Sequence, residues 1–230
     1  IVALLLAVVM LLGVLSGCQS KQDPPADSNV ANDSVGTGSD VVATVEPKVL
    51  NIGLNSNIVG LDPLNTNSNS SRAFVYAVFE TLIEYDHQGL ASNFTPCLAT
   101  EWSVDDTGCI WTFKIREGVT FHNGEPLTSA DVVTTYQRLL DDTSLALKSA
   151  FWAYLQSVEA VDDYTVNITT KEPYAAFLIS VAMTPIIPDE AYAQYGEEFW
   201  NNQMLYGTGP WKFDEWVDGA YLRMVWNDDY

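Results

Sequence analysis

The strongest constraint on the fold of this chain is a pair of hairpin signatures with a capped helix between them. Glu101-Trp102-Ser103-Val104, the turn Asp105-Asp106-Thr107-Gly108 and the run Ile110 to Arg116 alternate with period two across an Asp/Gly turn. That is the pattern of two antiparallel strands. Val158 to Val161 and Tyr164 to Ile168, split by Asp162-Asp163, repeat it. Between the two, Thr128-Ser129-Ala130-Asp131 caps a helix carrying Val132, Val133, Tyr136 and Leu139-Leu140.

Around this centre the remaining elements follow from periodicity. Val49 to Leu54 reads as a short strand, ended by the polar stretch Asn55-Ser56-Asn57 and the turn Leu61-Asp62-Pro63. Between Arg72 and Tyr85, Phe74, Val75, Val78, Phe79, Leu82 and Ile83 recur at three- and four-residue steps, which predicts a helix opened by Ser70-Ser71. Lys148 to Leu155 reads as helical, and an apolar helix runs from Pro173 to about Met183. Pro185 and Pro188 break it, and Asp189 caps another. Trp211-Lys212-Phe213, a turn at Gly219 and Leu222 to Trp226 close the chain. Short helices interleaved with hairpins predict a mixed α/β or α+β module.

The first 47 residues belong to no such pattern. Ile1 to Gly17 carries no charge and has the length of a signal-peptide core, short for a membrane span. Leu15-Ser16-Gly17-Cys18 resembles the bacterial lipoprotein box, in which the cysteine is lipidated. The alternative is an uncleaved single-span anchor with an incidental cysteine. Either reading puts the rest of the chain outside the cytoplasm. Because the chain starts with Ile and lacks a basic leader, its natural start is expected to precede Ile1. Gln19 to Pro47 is rich in Asp, Pro, Ser, Asn, Gly and Thr, and reads as a flexible tether. The expected organisation is therefore a signal peptide over 1–17 and a lipidated tether over 18–47.

Charge excludes one class of partner outright. With 10 Lys+Arg against 30 Asp+Glu the formal charge is -20, and no basic stripe exists to displace counterions from a nucleic acid. Residues 21–47 hold one Lys and five of those acids, which leaves 9 basic and 25 acidic residues, so the folded part is itself acidic. Acidity at this level serves solubility.

Catalytic constellations are missing. Paired acids at Asp105/Asp106, Asp141/Asp142, Asp162/Asp163, Glu197/Glu198 and Asp228/Asp229 are sequence neighbours, which point to opposite faces of a strand and form no dyad. His87 and His122 lack spaced acidic or cysteine partners, so neither a metal site nor a nucleophile's base is predicted. Gly207-Thr208-Gly209 lacks the remainder of a dinucleotide fingerprint or a P-loop, and Pro210 makes it a tight turn. Cys97 and Cys109 leave two readings open: a disulfide worth about 3 kcal/mol by loop entropy, or two small buried apolar side chains.

Several stretches then occur in a familiar order. Leu61-Asp62-Pro63, Phe79-Glu80-Thr81-Leu82, Pro96 with Leu98 to Trp102, and Trp111 to Gly124 come first. Thr128 to Val133, Val161 to Val166, Lys171-Glu172-Pro173 and Gly207 to Pro210 follow. Together they resemble the family 5 extracellular solute-binding proteins, the dipeptide, oligopeptide and nickel receptors of ABC importers. The resemblance implies a two-lobed clamshell of the periplasmic-binding-protein-like II type, closing on a ligand held between lobes. Relatives run to about twice this length, so the expectation is the first lobe only. Its parts would be a sheet domain over 48–62 plus 174–230 and an inserted domain over 63–173.

The same resemblance marks ligand-binding positions. Asn67, Ser68 and Asn69 align with the loop that touches ligand in oligopeptide receptors, where some relatives carry an acid that is absent here. Phe151, with Trp152 beside it, aligns with an aromatic that lies against ligand, ordinary core packing being the other reading. The implied protein is a monomeric, non-enzymatic receptor without cofactor or metal. It is tethered to a bacterial membrane through Cys18 and passes peptides or similar small solutes to an ABC permease with its ATPase subunits. A nickel-chelate or oligosaccharide receptor of the same family, a secreted hydrolase and a structural surface lipoprotein are the alternatives.

Overall fold

A computed structural model describes residues 48–66, 68–86, 93–201 and 204–230. The chain divides into a unit of residues 1–50 and a unit of residues 51–230, and the elements below belong to the second. The proposed lipid site Cys18, its tether and His87 lie outside the described residues.

The two hairpin signatures become one antiparallel sheet. β3 (Ala99–Val104), β4 (Ile110–Ile115), β5 (Leu155–Asp162) and β6 (Thr165–Thr170) stand in the order β3-β4-β6-β5. Phe113 pairs with Val166 and Trp111 with Ile168, placing their side chains on one face. Thr112 Oγ1 donates to Asn167 Oδ1 at 2.8 Å and Lys114 Nζ to Thr165 Oγ1 at 2.8 Å along the alternate positions.

α2 (Ser129–Asp141) packs on β5 and is opened by a reciprocal cap. Thr128 Oγ1 accepts from the Ala130 N–H at 3.2 Å, while Asp131 Oδ2 accepts from the Thr128 N–H at 2.8 Å. Each bond satisfies a donor that a helix start leaves without an intrahelical partner. Asp131 also accepts the Asp189 N–H at 2.9 Å, joining α2 to α5 (Asp189–Tyr195). Asp189 was expected to cap that helix. Instead it is the first helical residue, and Asp131 accepts its N–H.

An aromatic cluster fills the space under the sheet. Phe177, from α4 (Phe177–Ala182), stacks on Trp111 with ring centroids 4.6 Å apart and meets Trp152 edge-on at 5.8 Å. Tyr136 meets Trp152 edge-on at 4.9 Å. Such pairs contribute about 0.5–1.5 kcal/mol each beyond the area they bury.

Three further expectations are corrected. The helix of residues 72–85 stops early: α1 (Asn69–Val78) ends at Val78, and Ile83–Tyr85 forms β1, paired with β2 (Phe94–Pro96). The cause is tertiary, because the Gly209 N–H donates to the Val78 carbonyl at 2.9 Å and occupies a helix-end acceptor. The helical reading of Lys148 to Leu155 also shifts, to α3 (Ala146–Phe151), with Leu155 opening β5. The expected strand over Val49–Leu54 is absent; Val49, Leu50 and Ile52 are 78%, 78% and 71% exposed. A strand needs a neighbour for its backbone groups, and none of the described strand pairs includes this segment.

The chain ends in α6 (Glu198–Asn201) and the hairpin β7 (Trp211–Val217) and β8 (Tyr221–Trp226), turned at Gly219 with φ 71°. Phe213 of β7 meets Phe74 of α1 edge-on at 6.0 Å. No helix among the described residues is long and apolar enough to cross a membrane.

Candidate functional site

The start of α1 organises the site. Ser68 takes the N-cap position, and its Oγ accepts from the Ser71 N–H at 3.4 Å. Two buried serines in the first turn then lace a second loop onto the helix. Ser70 Oγ pairs with Ser56 Oγ at 2.7 Å, and Ser71 Oγ accepts the Val59 N–H at 3.2 Å. The result is a concavity of about 520 Å³ lined by Asn55, Ser56, Asn57, Val59, Ser68 and Asn69. Five of its six lining residues carry neutral amides or hydroxyls, and none is charged. Such a wall offers both donors and acceptors to an uncharged polar group.

Of the sequence-predicted residues, Ser68 and Asn69 line this concavity. Asn67 lies outside the described residues. Phe151 ends α3, half-buried against the core, and its carbonyl accepts from Ser180 Oγ at 3.1 Å. Trp152 is 1% exposed, and its Nε1–H donates to Thr184 Oγ1 at 2.7 Å. Its ring therefore belongs to the interior, and neither aromatic lines the concavity. Asn55, Ser56 and Asn57 were missed. A signal existed, since Asn-Ser-Asn occurs at both 55–57 and 67–69.

The disulfide reading is overturned. Cys97 and Cys109 are free thiols. Cys97 precedes β3 at the open end of its hairpin, with Ala99 opposite Ile115, whereas Cys109 lies beside the Asp105–Gly108 turn. The intervening five residues of ladder span roughly 17 Å, against the approximately 7 Å limit on Cα separation in a disulfide. Cys97 Sγ lies 3.5 Å from Glu80 Oε1. Burial, reinforced by the charges of Glu80 and Glu84, pushes that thiol up to about 12 and keeps it protonated.

His122 is a structural latch. Its Nε2–H donates to the Gly209 carbonyl at 2.8 Å, and its Nδ1 accepts from the Gly207 N–H at 3.3 Å. Burial holds the imidazole below its ordinary value near 6.5, hence neutral, as this bonding requires. The turn it grips presses on α1 so closely that a Cβ on Gly207 would lie 1.9 Å from the Val78 carbonyl oxygen. Among the described residues, no group of three His, Cys, Asp or Glu side chains could hold a metal ion.

Residues 93–230 match the family described as bacterial extracellular solute-binding proteins, family 5 Middle. The chain belongs to that family. Among family 5 relatives, glutathione-binding protein GsiB of Escherichia coli O1:K1 is 30% identical over 175 residues, 75% of this chain and 33% of GsiB. This chain thus spans about a third of the length of the curated relatives it matches. Two solved structures share its fold. The oligopeptide-binding protein AppA of Bacillus subtilis, in complex with a nonapeptide, matches with a TM-score of 0.68 and 29% identity. That match covers 78% of this chain and 36% of AppA. AgaA of A. tumefaciens R10, in complex with agropinic acid, matches with a TM-score of 0.67 and 27% identity over 75% of this chain and 34% of AgaA. The mixed helix-and-sheet fold is therefore that of the periplasmic-binding-protein-like solute receptors. The matched proteins are solute-binding proteins.

Proposed function

We propose that this chain supplies part of the ligand-binding wall of an ABC importer's substrate-binding component. The receptor takes peptides or similar small solutes, is held at a bacterial membrane through a lipid on Cys18, and hands its ligand to the permease without transforming it. Asn67, Ser68 and Asn69 contact the ligand, with Phe151 in reach of the closed complex. In the whole receptor the part over 63–173 is inserted into a domain to which 48–62 and 174–230 contribute, and 48–62 takes a strand partner there that the described residues do not supply.

The observation that carries this reading is the uncharged concavity where the Asn55–Asn57 loop faces Ser68 and Asn69. Its amides and hydroxyls suit a peptide backbone, whose N–H and C=O groups need partners when water is excluded. Absence of an acid from the 67–69 loop shifts recognition of a ligand's charged end to other residues. GsiB is a glutathione-binding protein, and AppA and AgaA are seen in complex with a nonapeptide and agropinic acid. Of these three ligands the first two are peptidic, and all are small polar solutes with several hydrogen-bonding groups.

The test is a thermal-shift screen of the full-length protein against defined peptides of two to nine residues, glutathione, agropinic acid, nickel–histidine and oligosaccharides. A ligand at 100 times its Kd stabilises the folded form by about 2.7 kcal/mol, well within detection. A peptide hit is expected. Shifts with nickel–histidine or an oligosaccharide alone would transfer the reading to that ligand class, and peptide turnover would replace it with a hydrolase.

A further inference from the structure

Arg138 projects from α2 into a buried knot of polar and aromatic side chains. Its guanidinium forks onto Asp62, Nη1 to Oδ1 at 2.8 Å and Nη2 to Oδ2 at 2.6 Å, with the two side chains 5% and 14% exposed. Nη2 also donates to Glu197 at 3.1 Å. The rings of Tyr192 and Trp200 lie 5.2 Å and 5.3 Å from the guanidinium carbon. Burial opposes the charge, but the hydrogen bonds and charge of Asp62 outweigh it and hold the group above its ordinary value. Fork geometry of this kind fixes orientation as well as distance.

What Asp62 holds in turn gives the knot its reach. Its Oδ1 accepts the Leu64 N–H at 3.0 Å, and its carbonyl accepts the Asn65 N–H at 3.2 Å. From that turn two bonds run to the start of α3: Asn65 Oδ1 accepts the Ala146 N–H at 3.2 Å, and the Leu64 carbonyl accepts the Leu147 N–H at 3.2 Å. Leaving the turn in the other direction, the chain reaches Ser68 within three residues. One guanidinium thus stands behind the turn that leads into Ser68 and behind the helix ending at Phe151, and the family resemblance marks Ser68 and Phe151 for ligand contact.

We infer that Arg138 is a positioning residue, which through Asp62 sets the turn at residues 62–65, three residues ahead of Ser68, and α3 in one fixed relation to each other. The inference rests on the reading of Ser68 and Phe151 as ligand-facing; the coupling itself is a property of the ligand-free chain. The fork matters and the charge alone does not suffice, because a lysine ammonium presents no second parallel donor to hold the Asp62 carboxylate in plane.

Hydrogen exchange on the full chain, without ligand, tests it. In the unmodified protein the Leu64, Asn65, Ala146 and Leu147 amides are expected to exchange through one common opening, with the same dependence on low denaturant. Arg138→Lys and Asp62→Asn, approaching the knot from opposite ends, should each accelerate all four by about tenfold while the β4–β6 amides keep their rates. Four separate openings in the unmodified chain would overturn the inference even if neither variant folded. So would acceleration confined to one segment, or acceleration spread equally over the sheet. No ligand enters these measurements, so a failed peptide screen leaves their outcome unchanged, and their failure leaves the peptide reading standing.

Discussion

The four-stranded sheet and the loops around the concavity lie in one compact unit, yet different forces hold them. Under the sheet, Phe113, Val166, Ile168, Tyr136, Trp152 and Phe177 are at most 1% exposed and touch one another. Around the concavity, Asn55, Ser56, Asn57, Val59 and Asn69 are exposed while Ile58 between them is buried in the core, and the polar connections are hydrogen bonds from Ser70, Ser71 and, further back, the Arg138 fork. Apolar burial is additive over area and indifferent to direction. Hydrogen bonds contribute about 1 kcal/mol net, but they specify angle. The sheet region therefore sets the stability of the fold, while the polar tethers set the shape of the site at little cost in stability.

The largest test of that division is Phe177→Ala. Removing a ring that fills the space between Trp111, Phe113 and Trp152 should lower unfolding free energy by about 3–5 kcal/mol in urea titrations. A loss near zero would mean that the aromatic cluster is not the stabilising centre. Gly207→Ala comes next. Its new methyl meets the Val78 backbone rather than a mobile side chain, and overpacking of this kind costs about 1–3 kcal/mol. The α1 end and the 207–210 turn should separate in exchange measurements, leaving β3 to β6 unchanged.

Ser71→Ala probes the other side of the comparison. Global stability should fall by only about 0.5–1.5 kcal/mol, while the Val59 amide, which donates to Ser71 Oγ, loses its protection. If Val59 exchange stayed slow, the loop would be held by something other than the serine lacing. The smallest effect is electrostatic. His122 sits below its ordinary value near 6.5, so its contribution is complete above that pH. As pH falls below 6.5 the unfolded chain binds a proton that the folded chain resists, and the contribution declines. The difference in stability between the native protein and His122→Gln should accordingly shrink on acidification through that range; a difference growing at lower pH would reverse the assignment of the neutral imidazole.

Much of the sheet was legible because its signals are local. Asp105 to Gly108, Asp162-Asp163 and Gly219 mark turns between runs whose alternation already says which side chains share a face, and all three hairpins formed. The Thr128 to Asp131 start of α2 was equally readable, as a cap bonds within four residues. The Cys97–Cys109 separation was implicit in the first hairpin, whose register alone places the two at opposite ends. The candidate site was half legible: the loop at Ser68 and Asn69 came from resemblance, but Asn55 to Asn57 read only as the polar end of a strand.

From its amino-acid order alone, then, this protein determined its hairpins, its helix cap, its acidity and its membership of a motif series, because each depends on neighbours a few residues apart. Tertiary structure decided where α1 stops, since the Val78 carbonyl is met by a glycine 131 positions later. It also decided that Trp152 faces inward to Thr184 and that Arg138 reaches back 76 residues to Asp62. A buried polar group must find a partner wherever the fold brings one, and linear spacing carries no record of which partner that is.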